Sequence, residues 1–193
     1  MISRIRFGTA AAVYDAFPNL RKYAPPPTGD AEPLAHADWL AAAHGFAGVA
    51  YMAHLLPRRE AVWWGARCLA ALLGRAAEDE AAAAAEALVR TPEEDTRRAA
   101  LAAGGRAAPQ SPTGLLALAA GRSGGSLAEP DQKPFLPAPD ACAQLVQAAV
   151  VRALVLQSPL QMRPWARACV EAGQRFAAGG DVNVVPPAAP VRS

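Results

Sequence analysis

From Pro33 onward, apolar stretches alternate with short polar or glycine-containing links, and the stretches begin and end with helix signals. The stretch after Pro57 shows both signals, because proline suits the first helical turn and Gly74 can adopt the left-handed conformation that stops a helix. The pattern over residues 33–56 predicts either two short helices or one helix bent near Gly45 and Gly48. Short links imply antiparallel neighbours, so the pattern predicts a compact all-α bundle of about six to seven helices.

The two ends of the chain differ from this central pattern. Residues 1–32 finish in the proline-rich stretch YAPPPTGDAEP, which predicts a loosely ordered N-terminal arm. Residues 33–180 form the predicted helical domain. Residues 181–193 contain VNVVPPAAPVRS and are predicted to be a flexible, disordered C-terminal tail.

The sharpest local signal is the stretch TPEEDTRRAALAAGG. Its first threonine is predicted to cap a helix, its proline to be the first helical residue and its second glutamate the third, which is the pattern of a capping box. Each glutamate stands four residues before an arginine, so two ion pairs are expected to support a helix that ends at Gly104 and Gly105. The residues assigned this structural role are Thr91, Pro92, Glu94, Arg97 and Arg98.

Composition and charge narrow the classes of partner. Alanine and leucine favour helices, whereas the β-branched and aromatic residues that suit strands are scarce. The formal net charge of +2 gives no strong field toward nucleic acid or an anionic membrane. Lys22 and Lys133 are the only lysines, and this bias toward arginine is typical of a GC-rich bacterial genome. We therefore expect neither a nucleic-acid nor a membrane partner.

The metal-binding and thiol residues are dispersed. The cysteines lack CxxC spacing, and histidines eight and ten residues apart do not match the four-residue spacing that places two imidazoles on one metal. We therefore expect no disulfide framework, no metal site and no cofactor. The cysteines are Cys68, Cys142 and Cys169, and the histidines are His36, His44 and His54.

The sequence predicts a cytoplasmic protein. The first residues, MISRIRFGTAAAVYDAF, contain basic residues, but the apolar run is short and is interrupted by Asp15, so they make a poor secretion signal. No stretch approaches the roughly 18 apolar residues that a membrane span needs.

The stretch LLPRREAVWWGARCLAALLG is the main candidate for a functional site, because two adjacent tryptophans stand among arginines. Arg59, Trp63 and Arg67 stand four residues apart, roughly on one helix face, so the Trp63 indole is placed to stack between two guanidiniums. Tryptophan and arginine dominate partner binding, which favours a contact surface here. The alternative is that an indole, Trp64 above all, fills the core while its charged neighbours cover the edge of the helix.

The glycine-rich stretch RSGGS also leaves two interpretations. Its backbone N–H groups could form an anion-binding nest, or the stretch could be a flexible turn at the end of a helix. It is not a P-loop, because the lysine and the following helix are missing. The residues predicted to form a partner surface are Arg58, Arg59, Glu60, Trp63, Trp64, Arg67, Ser123, Gly124, Gly125 and Ser126.

Two other functions stay open. A small enzyme or small-molecule binder would use Arg58, Glu60, Cys68 and the glycine loop around a shared pocket, and it would gain support if Glu60 and Cys68 met a histidine there. A purely structural role of the tryptophan motif is the third possibility. The absence of G-x-S-x-G, H-E-x-x-H, Walker A and G-x-G-x-x-G signatures favours a protein without catalytic activity.

Four motifs, in this order, carry a family resemblance: LPRREAVWWGARC, LVRTPEEDTRRAALAA, SPTGLLALAA and SGGSLAEPD. From about Leu34 to Gly179 the chain resembles an uncharacterised bacterial family, a helical domain of unknown function. The sequence departs from the family at Gly121 and Arg122, where bulky aromatic residues are usual, and again around Trp165.

The resemblance implies a functional setting, because members of this family tend to be encoded near type VI secretion genes. It implies an accessory, adaptor or chaperone role with a secretion spike or effector component as the partner. We therefore expect a non-catalytic, cytoplasmic protein-binding module of a bacterial type VI secretion system.

Overall fold

The structure, a computed structural model, describes residues 3–129 and 131–188. No strand occurs in these residues, so the all-α prediction is confirmed. The same residues contain nine α-helices and two short 3₁₀-helices, Pro18–Lys22 and Gly74–Ala77. The α-helices are α1 (Ala10–Ala16), α2 (Pro33–Ala43), α3 (Ala47–Leu55), α4 (Arg58–Leu73), α5 (Glu80–Arg90), α6 (Glu94–Arg106), α7 (Pro112–Gly121), α8 (Ala141–Val155) and α9 (Pro159–Ala177).

The described part of the bundle has more helices than the sequence predicts. One addition, α1, lies in the segment predicted to be an arm. Another arises because residues 34–56 belong to two helices and not to one bent helix. Gly45, between α2 and α3, has a positive φ of 54°, which a helix cannot include and which glycine adopts at little cost.

Residues 3–32 pack into the bundle and are not the loosely ordered arm that the proline-rich stretch predicts. Tyr14 of α1 and Leu20 of the first 3₁₀-helix are fully buried. The Tyr14 hydroxyl donates a hydrogen bond to the carbonyl of Pro25, at 2.8 Å, and so ties the proline-rich stretch to the core. At seven residues, α1 is too short for the spacing of its apolar residues to reveal a buried face.

The segment after α9 also lies against the bundle. Val182 and Val184 are buried, and the Arg175 guanidinium donates to the carbonyl of Asn183. Residues 182–184 therefore pack against the bundle although they have no regular secondary structure, whereas Val185 is exposed. Residues 189–193, the rest of the predicted tail, lie outside the described residues.

Helices α7 and α8 lie at the centre of the bundle. Helix α7 packs against α5, α6 and α8, and α4 packs against both α7 and α8. A side chain at Gly65 of α4 would be too close to its neighbours, because a Cβ there would lie 2.9 Å from Leu116 Cδ1 and 3.1 Å from Val146 Cγ1. The missing side chain therefore allows α4 to approach both central helices.

Helices α6 and α7 approach each other at the level of their backbones. A Cβ at Gly104 would lie 2.8 Å from the Leu118 backbone nitrogen, and one at Gly121 would lie 2.7 Å from Leu101 Cβ. A bulky aromatic side chain would not fit at position 121 in this packing. Helix α6 runs on to Arg106, so the predicted helix end at the glycine pair is wrong: Gly104 serves interhelical packing instead.

We expect Gly104→Ala to lower the free energy of unfolding by about 1–3 kcal/mol, because the new Cβ must push α6 away from the α7 backbone. Gly105→Ala is the matched control, since no atom lies within 4 Å of a Cβ there and alanine is the better helix former. Urea unfolding of both variants tests this. Equal destabilisation by the two substitutions would contradict the packing described here.

Candidate functional site

The two adjacent tryptophans of α4 have different environments. Trp64 is fully buried, and its indole N–H donates to the carbonyl of Cys169 on α9 at 2.9 Å. Gly173 gives the indole room, because a Cβ there would lie 3.0 Å from Trp64 Nε1. The prediction that Trp64 belongs to a contact surface is therefore wrong, because its indole N–H is hydrogen-bonded and its rings are packed inside the protein.

Trp63 is partly buried at the edge of the core. The guanidinium carbon of Arg67 lies 4.6 Å from the centroid of the Trp63 ring, and that of Arg90 on α5 lies 6.0 Å away. Glu86 forms ion pairs with both arginines. The stacking of Arg67 follows from the sequence spacing, whereas the second guanidinium comes from Arg90 and not from Arg59.

An open cavity of about 380 Å³ lies beside Trp63. Its lining comes from the N-terminal segment, α4, α5 and α9, so the cavity exists only in the folded chain. Hereafter it is the Trp63 cavity. It is lined by Arg4, Arg59, Glu60, Trp63, Val89, Arg90 and Phe176.

Arg4 reaches the cavity because the N-terminal segment is attached to the end of α9. Its backbone N–H donates to the carbonyl of Ala177 at 2.8 Å, and its guanidinium donates to the carbonyls of Phe176 and Gly180. The guanidinium carbon also lies 4.2 Å from the centroid of the Phe176 ring. Sequence analysis missed Arg4, Val89, Arg90 and Phe176, because nothing in their local sequence shows that they meet Trp63.

The Trp63 cavity has an excess of positive charge. Its lining contains three arginines and one glutamate. When Arg67 and Glu86 at its edge are included, four guanidiniums face two carboxylates, which leaves two positive charges uncompensated. Among the described residues, no carboxylate forms an ion pair with Arg59. An apolar wall with unpaired guanidiniums suits a ligand that is partly apolar and partly anionic.

Arg58 belongs to a different part of the molecule from the Trp63 cavity. Its guanidinium donates to the carbonyls of Ser123, at 3.1 Å, and of Pro139, at 3.2 Å. Arg58 thus connects the start of α4 to both ends of the long loop between α7 and α8. The residues predicted as one contact surface are divided in the structure between the Trp63 cavity and this loop.

The glycine loop, Ser123–Ser126, is built around the buried guanidinium of Arg97. Arg97 donates to the carbonyls of Gly121 and Ser126, both at 2.7 Å. Gly125 has a φ of 64°, and a Cβ there would lie 2.8 Å from Arg97 Nε. Because carbonyl oxygens turn toward a cation here, these contacts favour a structural role for the loop over anion binding.

The capping box lies two residues later than predicted. The N-cap of α6 is Glu93, whose backbone N–H donates to the Thr96 hydroxyl, whereas Thr91 ends α5 and Pro92 lies between the helices. Glu94 does not close a box with Thr91, because its carboxylate accepts hydrogen bonds from two arginines. Its oxygens lie 2.7 Å from Arg97 Nε and 2.8 Å from Arg98 Nε.

Of the residues of the alternative enzyme site, Arg58 meets the glycine loop, but Glu60 and Cys68 do not meet a histidine in one pocket. Cys68 is fully buried beside Cys169, and burial, together with that neighbouring thiol, raises the pKa of Cys68 well above its usual value. A raised pKa disfavours the thiolate that a nucleophile needs. Glu60 lines the Trp63 cavity, whereas the buried histidines, His36 and His54, lie on α2 and α3.

Residues 3–129 and 131–188 contain neither a cluster of potential metal ligands nor a helix that could span a membrane. No group of three or more potential metal ligands occurs there. In the same ranges no helix combines the length and the apolar character needed to cross a membrane.

Comparisons with known proteins give a family but no function. The family model described as "Family of unknown function (DUF6931)" matches residues 36–177, which is most of the chain. Neither the curated proteins nor the solved structures include a match to this sequence. The function must therefore be inferred from the geometry of the site.

The two tryptophans should respond differently to the same substitution. We expect Trp64→Phe to lower the free energy of unfolding by about 2–4 kcal/mol, because it removes a buried hydrogen bond and leaves a cavity. Trp63→Phe should cost less than about 1 kcal/mol, because Trp63 lies at the edge of the core. Urea unfolding measures both values, and similar losses for the two variants would contradict the assigned environments.

The Glu94 carboxylate should make stability depend on acid pH. Hydrogen bonds from Arg97 and Arg98 lower its pKa from 4.5 to about 2, so its stabilisation is present above pH 4.5 and is lost as the pH falls toward 2. Because the glutamate is largely exposed, we expect Glu94→Gln to cost only about 0.5–1 kcal/mol at neutral pH. Thermal unfolding over a pH series should show this difference shrinking in acid. Glu129→Gln is the control, because Glu129 is exposed and forms no ion pair within the part of the chain that the structure describes.

Proposed function

We propose that this chain, which belongs to the family of unknown function DUF6931, is a non-catalytic protein-binding module whose docking site is the Trp63 cavity. The partner presents an apolar side chain flanked by aspartate or glutamate. One observation carries the proposal: Trp63 stands beside an open cavity in which guanidiniums outnumber carboxylates.

The side chains at this cavity are of the types that contribute most to binding between proteins. Tryptophan and arginine are enriched among the residues whose truncation costs the most affinity. Arg67 and Arg90 already lie over the Trp63 ring, and Glu86 holds both arginines. The indole therefore loses little conformational freedom when a partner binds, which lowers the entropic cost of association.

Arg59 and Arg4 determine which partner fits. Arg59 is exposed, and among the described residues neither Arg59 nor Arg4 forms an ion pair, because the Arg4 guanidinium donates to backbone carbonyls. A carboxylate from the partner would gain a charge-assisted hydrogen bond from either guanidinium without displacing an internal ion pair. Exposed charges at the rim of an interface mainly accelerate association and make it sensitive to salt.

The finer proposal is that the partner belongs to a type VI secretion system. It rests on the resemblance to a family encoded near such genes. A spike or effector component that carries an acidic segment with an apolar anchor is the first partner to test. The adaptor or chaperone role follows from binding such a component without chemical change.

The docking site can be tested with peptides in which a leucine is flanked by glutamates, with glutamine in place of glutamate as the neutral control. Calorimetry should show binding of the acidic peptides only, weakened by added salt. We expect Trp63→Ala to weaken binding by about 30-fold, because it removes the apolar wall. Arg59→Glu should weaken it by about tenfold through repulsion.

Two exposed residues of α9 that do not line the cavity provide matched controls. Leu160→Ala removes an exposed apolar side chain, and Arg163→Glu reverses an exposed charge, so neither should change the affinity. Equal binding of acidic and neutral peptides, or equal effects of Arg59→Glu and Arg163→Glu, would refute the docking site. If the peptides bind as expected but spike and effector components of the same host do not, only the secretion-system assignment fails.

A further inference from the structure

A second open cavity, of about 280 Å³, lies beside Trp39 of α2. The Trp39 side chain is 47% exposed, which is unusual for so large an apolar group. Pro26 and Pro27 of the segment before α2 form another part of the lining. Hereafter this is the Trp39 cavity, and it shares no lining residue with the Trp63 cavity.

The Trp39 indole is supported by two histidine rings. The His36 ring is stacked on it, with centroids 5.5 Å apart and planes at 21°, and the His44 ring meets it at 64° with centroids 4.8 Å apart. His36 is fixed in turn by a hydrogen bond of 3.0 Å between its Nε2 and the Tyr14 hydroxyl. The exposed indole is therefore a preorganised surface.

The charge of the Trp39 cavity is opposite to that of the Trp63 cavity. Glu32 contributes the only carboxylate to its described lining, and no arginine or lysine lines it. One Glu32 oxygen caps α2 by accepting the N–H of Ala35 at 2.8 Å. A helix N-terminus carries about half a positive charge, so the full charge of the carboxylate leaves the site negative by about half a charge.

His36 adds no positive charge that would offset the negative charge of the Trp39 cavity. Burial lowers the pKa of His36, so the imidazole is neutral at neutral pH. An anion would meet the Glu32 carboxylate in this cavity, whereas a cation would meet that carboxylate and the negative face of an indole.

We propose that the Trp39 cavity binds an arginine side chain presented by a partner peptide. The planar guanidinium stacks on the Trp39 indole while its N–H groups donate to the Glu32 carboxylate, a combination that the compact ammonium of lysine matches less well. An exposed cation–π contact and an exposed ion pair each strengthen binding by only about fivefold. A free ion would therefore bind too weakly, and a peptide that adds its own contacts is the fitting occupant.

The proposal can be tested on the full chain with acetyl-Gly-Arg-Gly-amide and its citrulline counterpart, a neutral analogue of nearly the same shape. The probe signal is the indole N–H resonance of Trp39, assigned by its loss in Trp39→Leu. We expect the arginine peptide to shift this resonance and to bind at least about fivefold more tightly than the citrulline peptide. A lysine peptide should fall between the two.

The decisive variant is Glu32→Gln, because the glutamine oxygen can still cap α2 while the negative charge is removed. It should lower the preference for arginine over citrulline by about fivefold, because the ion pair is lost while the cation–π contact with Trp39 remains. Asp38→Asn, at an exposed carboxylate of the same helix that does not line the cavity, should leave the preference unchanged.

Three outcomes would overturn the proposal. They are equal binding of the arginine and citrulline peptides, an arginine preference that Glu32→Gln does not reduce, and no shift of the Trp39 resonance at the solubility limit of the peptide. If Trp39→Leu fails to fold, the comparison of Glu32→Gln with Asp38→Asn still decides the question. The result does not depend on the Trp63 cavity, which attracts the opposite charge.

Discussion

The burial of Trp64 against α9 is the interaction on which the proposed docking site depends. Its indole N–H bonds to the Cys169 carbonyl, and Gly173 leaves room for the ring, so the rotation of α4 about its axis is determined. Successive residues of a helix point about 100° apart. Once Trp64 faces the core, Trp63 must lie at the edge of the bundle, where α5 and the N-terminal segment supply arginines. One buried side chain thereby orients a neighbour that stays accessible.

Arginines have two different environments in this protein. Arg97 is buried and bonds to the carbonyls of the glycine loop, while Arg58 connects that loop to α4. Arg59 and Arg4 instead line the Trp63 cavity, and no carboxylate of the described residues forms an ion pair with either of them. The difference depends on what surrounds each guanidinium, since the side chain has the same charge and the same donors at every position. Charge alone therefore does not identify a binding residue in this chain.

The local sequence patterns predicted where helices occur but not which hydrogen bonds their side chains form. The signals at Pro57 and Gly74 correctly mark the two ends of α4, because proline and glycine effects act within one turn. The same local logic failed at Glu94, because Arg97 and Arg98 compete for its carboxylate and Thr96 takes over the capping. A capping pattern states which bonds are possible, whereas the neighbouring side chains decide which bonds form.

The sequence by itself determined the all-α class, most of the helices and the presence of arginine beside tryptophan, since these follow from propensity and periodicity over a few residues. Only the tertiary structure decided which indole is buried, that the N-terminal segment belongs to the core, and that Arg4, Arg90 and Phe176 meet at Trp63. These facts depend on contacts between residues far apart in the chain. Close packing and the pairing of polar groups select such contacts, and local sequence does not record them.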